Sequence, residues 1–136
     1  MTVKEARLDL QRRQRLGMVE AVWGEHKSAE QIVAILRSLR AAGELALVTR
    51  VNPDKAAAVV EALPAVQWHR PASCLTDGLL PTPSPGVTVG VLSGGTSDRG
   101  VAAEAELALQ VHGVVTEVLL DVGVAGLHRL LAVLPS

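Results

Sequence analysis

Apolar and polar positions alternate at helical spacing in the first third of the chain. From Ile32 to Leu39 an apolar residue recurs every three or four positions, which places these side chains on one face of an α-helix. Ser28 and Gln31 precede this run at the spacing of a capping box, in which each side chain bonds the other's backbone N–H. Gly43 follows the run and suits a helix end. The pattern therefore predicts a helix between Ser28 and Gly43.

Three further elements are predicted in the N-terminal half. Residues 3–15 show an amphipathic pattern that ends in a cluster of arginines before Gly17, so we expect a helix there. The run LALVTRV at 45–51 is typical of a strand. Asn52 and Pro53 then supply an N-cap and a first helical residue for the helical run NPDKAAAVVEAL.

The second half of the chain follows a strand–helix–strand–helix order. VTVGVL is a strand pattern, a helix is expected from about Arg99 to His112, Gly113 ends it, and VVTEVLLD is a second strand pattern. The turn VGVAG and the helical run LHRLLAVL complete the order. Short connections of this kind imply parallel strands joined by a right-handed crossover. The predicted fold class is α/β; the strand at 45–51 is expected to add a third strand, and an apolar edge would remain exposed.

A proline-rich stretch separates the two halves. Five of the chain's seven prolines fall within residues 64–86, so this stretch is predicted to be a linker that is ordered only where Trp68 packs. The predicted organisation is an N-terminal region at 1–63, the linker at 64–86 and a nucleotide-binding region at 87–136.

Composition and charge narrow the function classes. The 136 residues are 49% hydrophobic, yet Phe and Tyr are absent, so Ala, Val and Leu must build the core. The formal net charge of −1 gives no basic excess for nucleic-acid binding. No apolar run reaches membrane-spanning length, and the N-terminus is too charged for a signal peptide. With Cys74 as the single cysteine, a cytoplasmic protein is expected.

Two glycine-rich turns carry the candidate chemistry, and the first is LSGGTSD. Gly94 and Gly95 remove side-chain bulk, so a ligand can approach the backbone at the start of a helix, where a phosphate is favoured. Thr96 and Ser97 offer hydroxyl donors. Asp98 has the wrong charge for a phosphate and suits a ribose hydroxyl, a cation or proton transfer. The alternative is that Ser97 or Asp98 only caps the helix.

The second turn, DVGVAGLHR, follows the next strand of the same predicted sheet. Asp121 ends the strand, and Gly123 and Gly126 open the turn. His128 is suited to moving protons near neutral pH. Arg129 is unfavourable at a helix N-terminus unless an anionic ligand lies in front of it. Because the carboxyl ends of parallel strands share one edge, the two turns predict one ligand site.

These motifs resemble the LarB family of nickel-pincer cofactor biosynthesis, whose core is similar to the PurE carboxylase/mutase family. GGTSDRGVAAEAELALQVHG and DVGVAGLHRLL carry the resemblance in the second half, and LDLQRRQRLG, GEHKSAEQI and LVTRV carry it in the first. It implies a small helical/α-β N-terminal region and a truncated PurE-like parallel βαβα half-sheet. The implied reaction is carboxylation of nicotinic acid adenine dinucleotide at its pyridinium ring, with hydrolysis that releases AMP and leaves pyridinium-3,5-biscarboxylate mononucleotide.

The resemblance also implies site residues and partners. Asp98 and His128 would be catalytic, no cofactor would be tightly bound, and CO2 or bicarbonate would be the co-substrate with Mg²⁺ as a candidate cation. The sequence itself contains no cluster of residues at metal-ligand spacing. A homo-oligomer or a partner chain that completes the sheet is implied as well. The implied substrate-binding residues are Gly95, Thr96, Ser97, Glu104, Asp121, Gly126, Arg129, Arg12, Arg15, Lys27 and Arg50, and Asp9, Gly17 and Thr49 also match family motifs.

One departure from the family keeps alternatives open. Family members carry a cysteine near the C-terminus that attacks the pyridinium ring, whereas Cys74 matches no family position and is interpreted as a bystander thiol. The first alternative is a truncated, non-catalytic nucleotide-binding or partner-dependent subunit. The second is a protein similar to aminoimidazole ribonucleotide carboxylase.

Overall fold

The computed structural model describes residues 18–120. The chain forms two compact units, Met1–Leu80 and Pro81–Ser136, referred to below as the N-terminal and C-terminal units. Both combine helices with a sheet that contains parallel strands, which confirms the predicted α/β class. The helix predicted at 3–15, and the turn and helix predicted after residue 120, lie outside the described residues.

The N-terminal unit is a four-stranded mixed sheet with two helices. Its sheet order is β1-β2-β4-β3; β1 and β2 run parallel, and β4 is antiparallel to both of its neighbours. A 3-10 turn at Arg70–Ala72 joins β3 to β4. The elements are β1 (Ala21–Trp23), α1 (Ala29–Ala41), β2 (Ala46–Thr49), α2 (Pro53–Ala62), β3 (Gln67–His69) and β4 (Cys74–Asp77).

Local sequence signals start both helices as predicted, and a glycine follows the end of the first. The Ser28 hydroxyl accepts from Gln31 N, and the Gln31 side chain accepts from Ser28 N, which completes the capping box of α1. The Asn52 side chain accepts from Lys55 N at the start of α2. Gly43 follows α1 with a φ of +72°, in the left-handed region that favours glycine.

A single apolar core joins both helices to the sheet. Ile32 and Leu36 of α1, Val48 of β2, Val59 of α2 and Leu75 of β4 all have 0% of their surface exposed and belong to one cluster. Burying each such side chain contributes about 1.5–3 kcal/mol. The helical spacing that predicted α1 therefore marks its core-facing side.

The predicted linker at 64–86 is wrong in its central part, where β3 and β4 lie. Cys74 and Leu75 of β4 are completely buried. The prolines do not prevent this, because Pro64 follows α2 and Pro71 lies in the 3-10 turn, so the two strands fit between proline positions. The composition of the stretch was therefore a poor guide, since strands of three and four residues need only short intervals without proline.

The C-terminal unit contains the predicted strand–helix–strand arrangement. β5 (Ser84–Leu92) and β6 (Val114–Leu119) pair in parallel, with α3 (Arg99–Gln110) between them in sequence. β5 begins three residues earlier than the sequence pattern predicts, and its pairing is irregular between Ser84 and Thr88, next to Pro85. Gly113 has a φ of +74° after α3.

The strand at 45–51 does not extend this second sheet, contrary to expectation. It is β2, and it pairs with β1 and β4 in the N-terminal unit. Within residues 18–120 the sheet of the C-terminal unit has two strands. Val87 and Leu92 of β5 are 73% and 55% exposed, so apolar surface remains on this strand.

Candidate functional site

The glycine-rich turn of the C-terminal unit follows the carboxyl end of β5. Ser93 N donates to Leu119 O at 2.9 Å, which ties the start of the turn to β6. The Ser93 hydroxyl is buried and donates to Gly95 O at 3.1 Å. Gly95 O also accepts from Asp98 N at 3.2 Å, within the 3-10 turn Thr96–Asp98. The hydrogen bonds of Ser93 thus fix the turn to β6 and to its own backbone, at the sheet edge where parallel sheets bind ligands.

Asp98 occupies the N-cap position of α3, yet its side chain makes no capping hydrogen bond. Its φ and ψ of −92° and 3° differ from the extended geometry of Ser28 and Asn52, the two residues that do cap their helices. The carboxylate is exposed at the helix start. The capping alternative raised by the sequence is therefore not what the structure shows for Asp98.

The hydroxyl residues of the turn are presented to solvent. Thr96 and Ser97 are exposed, and a Cβ added to Gly95 would meet no other atom within 4 Å. Gly95 has extended backbone with a φ of −161°, which any residue can adopt, so neither backbone strain nor local crowding requires a glycine there. The sequence-based explanation, that a ligand approaches the backbone closely at this glycine, stays a prediction.

Glu104 is a further site residue that the resemblance implies in this unit. It is half-buried on α3, six positions after Asp98, which corresponds to about 9 Å along a helix axis. Glu104 therefore lies along the helix body rather than within the glycine-rich turn.

Lys27 and Arg50 follow neighbouring strands at a comparable edge of the N-terminal unit. β1 and β2 are parallel, so their carboxyl ends adjoin, and Gly24 N donates to Thr49 O at 2.8 Å across them. The Lys27 ammonium donates to Trp23 O at 3.1 Å. Arg50 follows Thr49 directly, is exposed and has a left-handed φ of +56°. The structure thus places two predicted residues that are far apart in sequence at the same edge of one sheet.

Lys55 reinforces this second edge and was not predicted. Its ammonium reaches from α2 to Gly24 O at 2.9 Å and Glu25 O at 3.2 Å, holding the loop that follows β1. Trp23, at the end of β1, was missed as well because β1 is too short to produce a strand pattern. An isolated aromatic residue beside the GEHKS motif is the only sequence signal that points to it.

Cys74 is buried in β4, and its thiol donates to Ala72 O at 3.2 Å. A completely buried structural cysteine is typically unreactive. Within residues 18–120, His, Cys, Asp and Glu do not gather in any group of three that would hold a metal ion. The remaining predicted site residues lie outside the described residues: Arg12, Arg15, Asp121, Gly126, His128 and Arg129.

This is an α/β protein with two units. Each unit contains a parallel strand pair, and polar residues follow the carboxyl end of that pair. The sequence model of the LarB/PurE-like N-terminal domain matches residues 1–78, and the chain belongs to that family. An uncharacterized protein of Methanocaldococcus jannaschii is 30% identical over 133 residues, covering 91% of this chain and 51% of the relative. The chain thus spans about half the length of that relative.

Proposed function

We propose that this chain serves a LarB-like reaction, the carboxylation and hydrolysis of nicotinic acid adenine dinucleotide for nickel-pincer cofactor biosynthesis. The observation that carries the proposal is the turn at Thr96–Asp98, which follows a parallel strand. It exposes two hydroxyls and the Asp98 carboxylate, which makes no capping hydrogen bond. Membership of the LarB/PurE-like family supports the choice of reaction.

The proposed roles follow the chemistry of each group. The hydroxyls of Thr96 and Ser97, with the first N–H groups of α3, suit the pyrophosphate of the dinucleotide. Asp98 accepts a hydrogen bond from a ribose hydroxyl or transfers a proton, and His128 acts as the second proton-transfer group. Arg129 pairs with phosphate. CO2 or bicarbonate is the proposed co-substrate, with Mg²⁺ as the candidate cation.

The burial of Cys74 favours a second candidate function, nucleotide binding without completed chemistry. The reaction of this family uses a thiolate to make the electron-poor pyridinium ring nucleophilic toward CO2, and a thiol with 0% exposure is not placed for that attack. The exposed apolar residues of β5 favour the same candidate, because a second copy or a partner chain that completes the sheet would cover them.

Mass spectrometry of the reaction mixture separates the two candidates. If the second candidate function is right, the purified chain, incubated with nicotinic acid adenine dinucleotide, bicarbonate and Mg²⁺, should yield no carboxylated mononucleotide, because Cys74 is buried. Carboxylated product that disappears in Cys74→Ser would overturn this interpretation of Cys74. Product that persists in Cys74→Ser would show that the chemistry needs no cysteine.

Binding is tested separately with the parent chain and Arg129→Ala. If Arg129 pairs with the pyrophosphate, the variant should lose about 1.5–3 kcal/mol of binding free energy, as is typical of a hydrogen bond to a charged group. Calorimetry with nicotinic acid adenine dinucleotide measures this loss. Equal affinity in both proteins would exclude the phosphate role of Arg129.

A further inference from the structure

The carboxyl edge of β1 carries an exposed indole that folding does not explain. Trp23 is 53% exposed, although it is one of only two aromatic residues among Phe, Tyr and Trp in the sequence. The other, Trp68, is half-buried and packs against the core. A chain this poor in aromatic residues places half of them in solvent, at the edge where parallel strands present ligand sites.

The indole is held in place before any ligand arrives. Its ring lies edge-on to the His26 ring, with centroids 4.9 Å apart and planes at 79°. Trp23 pairs with Thr49 in the β1–β2 register, and Lys55 fixes the loop that follows. A flat surface with its backbone held in this way stacks against another ring at low entropic cost.

Cationic groups accompany this ring. The Lys27 ammonium bonds the carbonyl of Trp23 itself, at 3.1 Å, and one such bond leaves two of its three N–H groups for other acceptors. Arg50 follows the strand partner of Trp23. Glu25 is an acidic residue in the loop after β1, and its carboxylate lies 4.0 Å from His26 Nε2. A strand edge that carries an exposed ring together with Lys27 and Arg50 suits a ligand that is both aromatic and anionic.

We propose that this edge binds the nucleoside monophosphate portion of a nucleotide, with the base stacked on Trp23 and the phosphate beside Lys27 and Arg50. The choice of a nucleotide rests on the proposed function, because a dinucleotide supplies two such portions. The site is distinct in sequence from the glycine-rich turn, so each can be disabled alone.

The test uses the full chain with Trp68→Phe, in which Trp23 is the only indole. AMP is expected to change the Trp23 fluorescence saturably, adenosine to bind more weakly, and inorganic phosphate to leave the signal unchanged. In dialysis with labelled AMP, Trp23→Leu should bind roughly tenfold more weakly. Lys27→Gln should weaken binding of AMP but not of adenosine. Arg37→Gln, which removes an exposed charge in the middle of α1, serves as the control and should bind normally.

Unchanged AMP affinity in Trp23→Leu would overturn the proposal. It would also be overturned if the control Arg37→Gln lost as much AMP affinity as Trp23→Leu. The outcomes also separate it from the proposed function. AMP binding that needs Trp23 in a chain that does not bind nicotinic acid adenine dinucleotide would leave this site standing and reject the proposed function. If binding of the dinucleotide depends on Asp98 but not on Trp23, and AMP produces no response, the proposed function stands and this site is rejected.

Discussion

Gly24 lies so close to β2 that a side chain has no room there. A Cβ at this position would stand 2.9 Å from Thr49 O, 3.0 Å from Val48 Cγ1 and 3.1 Å from Val51 Cγ2. The first neighbour is a backbone oxygen, which cannot rotate away. This glycine therefore sets how closely the ends of β1 and β2 approach, and with them the positions of Trp23 and Lys27.

Gly24→Ala is expected to destabilise the protein by about 1–3 kcal/mol, since relief of the contact requires a shift of the backbone. Urea denaturation measures the change. Gly90→Ala is the matched control, because a Cβ on Gly90 would meet no other atom within 4 Å. Equal losses in the two variants would show that the close contact with β2 is not the cause.

An ion pair joins α1 to the end of β4. Arg40 Nε donates to Asp77 Oδ2 at 2.9 Å and Arg40 Nη2 donates to Asp77 Oδ1 at 2.8 Å. The Asp77 side chain is 7% exposed and that of Arg40 is 44% exposed. The hydrogen bond with Asp77 raises the pKa of Arg40. The pair satisfies a carboxylate that the fold buries.

Arg40→Met should cost about 1–3 kcal/mol, because it leaves the buried Asp77 carboxylate without its paired donors. Arg37→Met removes an exposed arginine of the same helix and should change stability by less than about 0.5 kcal/mol. Thermal or urea denaturation of the two variants checks the difference. Similar stabilities would mean that solvent replaces the pair without loss.

A histidine at the end of β3 predicts a pH dependence of stability. His69 Nε2 lies 2.7 Å from Thr76 Oγ1, and burial lowers the pKa of His69 below its usual value of about 6.5. The unfolded chain then binds the proton more readily than the folded chain. Stability contributed by neutral His69 is complete above about pH 6.5 and falls as the pH drops through the unfolded pKa toward the lower folded value.

His69→Gln should remove this part of the pH dependence, since glutamine retains hydrogen-bonding groups for Thr76 but does not titrate. Urea denaturation at several pH values below neutrality compares parent and variant. His112→Gln is the control, because His112 is exposed on the other unit. A parent stability that falls with pH no more than that of His69→Gln would contradict the prediction.

The elements differ in how well the sequence predicts them. α1 and α2 are predictable because capping and periodicity are local signals, and Ser28 and Asn52 make the expected bonds. β3 and β4 are not predictable in this way. They are stabilised by pairing with each other and with β2, and local composition does not reveal pairing between separate segments of the chain. The glycine-rich turn is found from sequence, whereas Trp23 becomes notable only once its exposure is known.

The family match and the division into two units agree on the organisation of the chain. The matched domain at 1–78 corresponds closely to the N-terminal unit, which ends at Leu80. Residues 18–120 contain no helix that is long and apolar enough to cross a membrane. Each unit provides a parallel strand pair with polar residues after it, so we expect nucleotide recognition to be divided between two sets of residues.

If the turn at Thr96–Asp98 binds the dinucleotide, Asp98→Asn should weaken binding without a loss of stability. Asp98 is exposed and makes no capping bond, so the variant should unfold at the same urea concentration as the parent. Calorimetry with nicotinic acid adenine dinucleotide should nevertheless show binding weakened roughly tenfold or more, as the loss of a charged hydrogen-bond acceptor predicts. Glu117→Gln, an exposed carboxylate change on β6, should bind like the parent. Asp98→Asn that binds the dinucleotide as tightly as both would contradict the account.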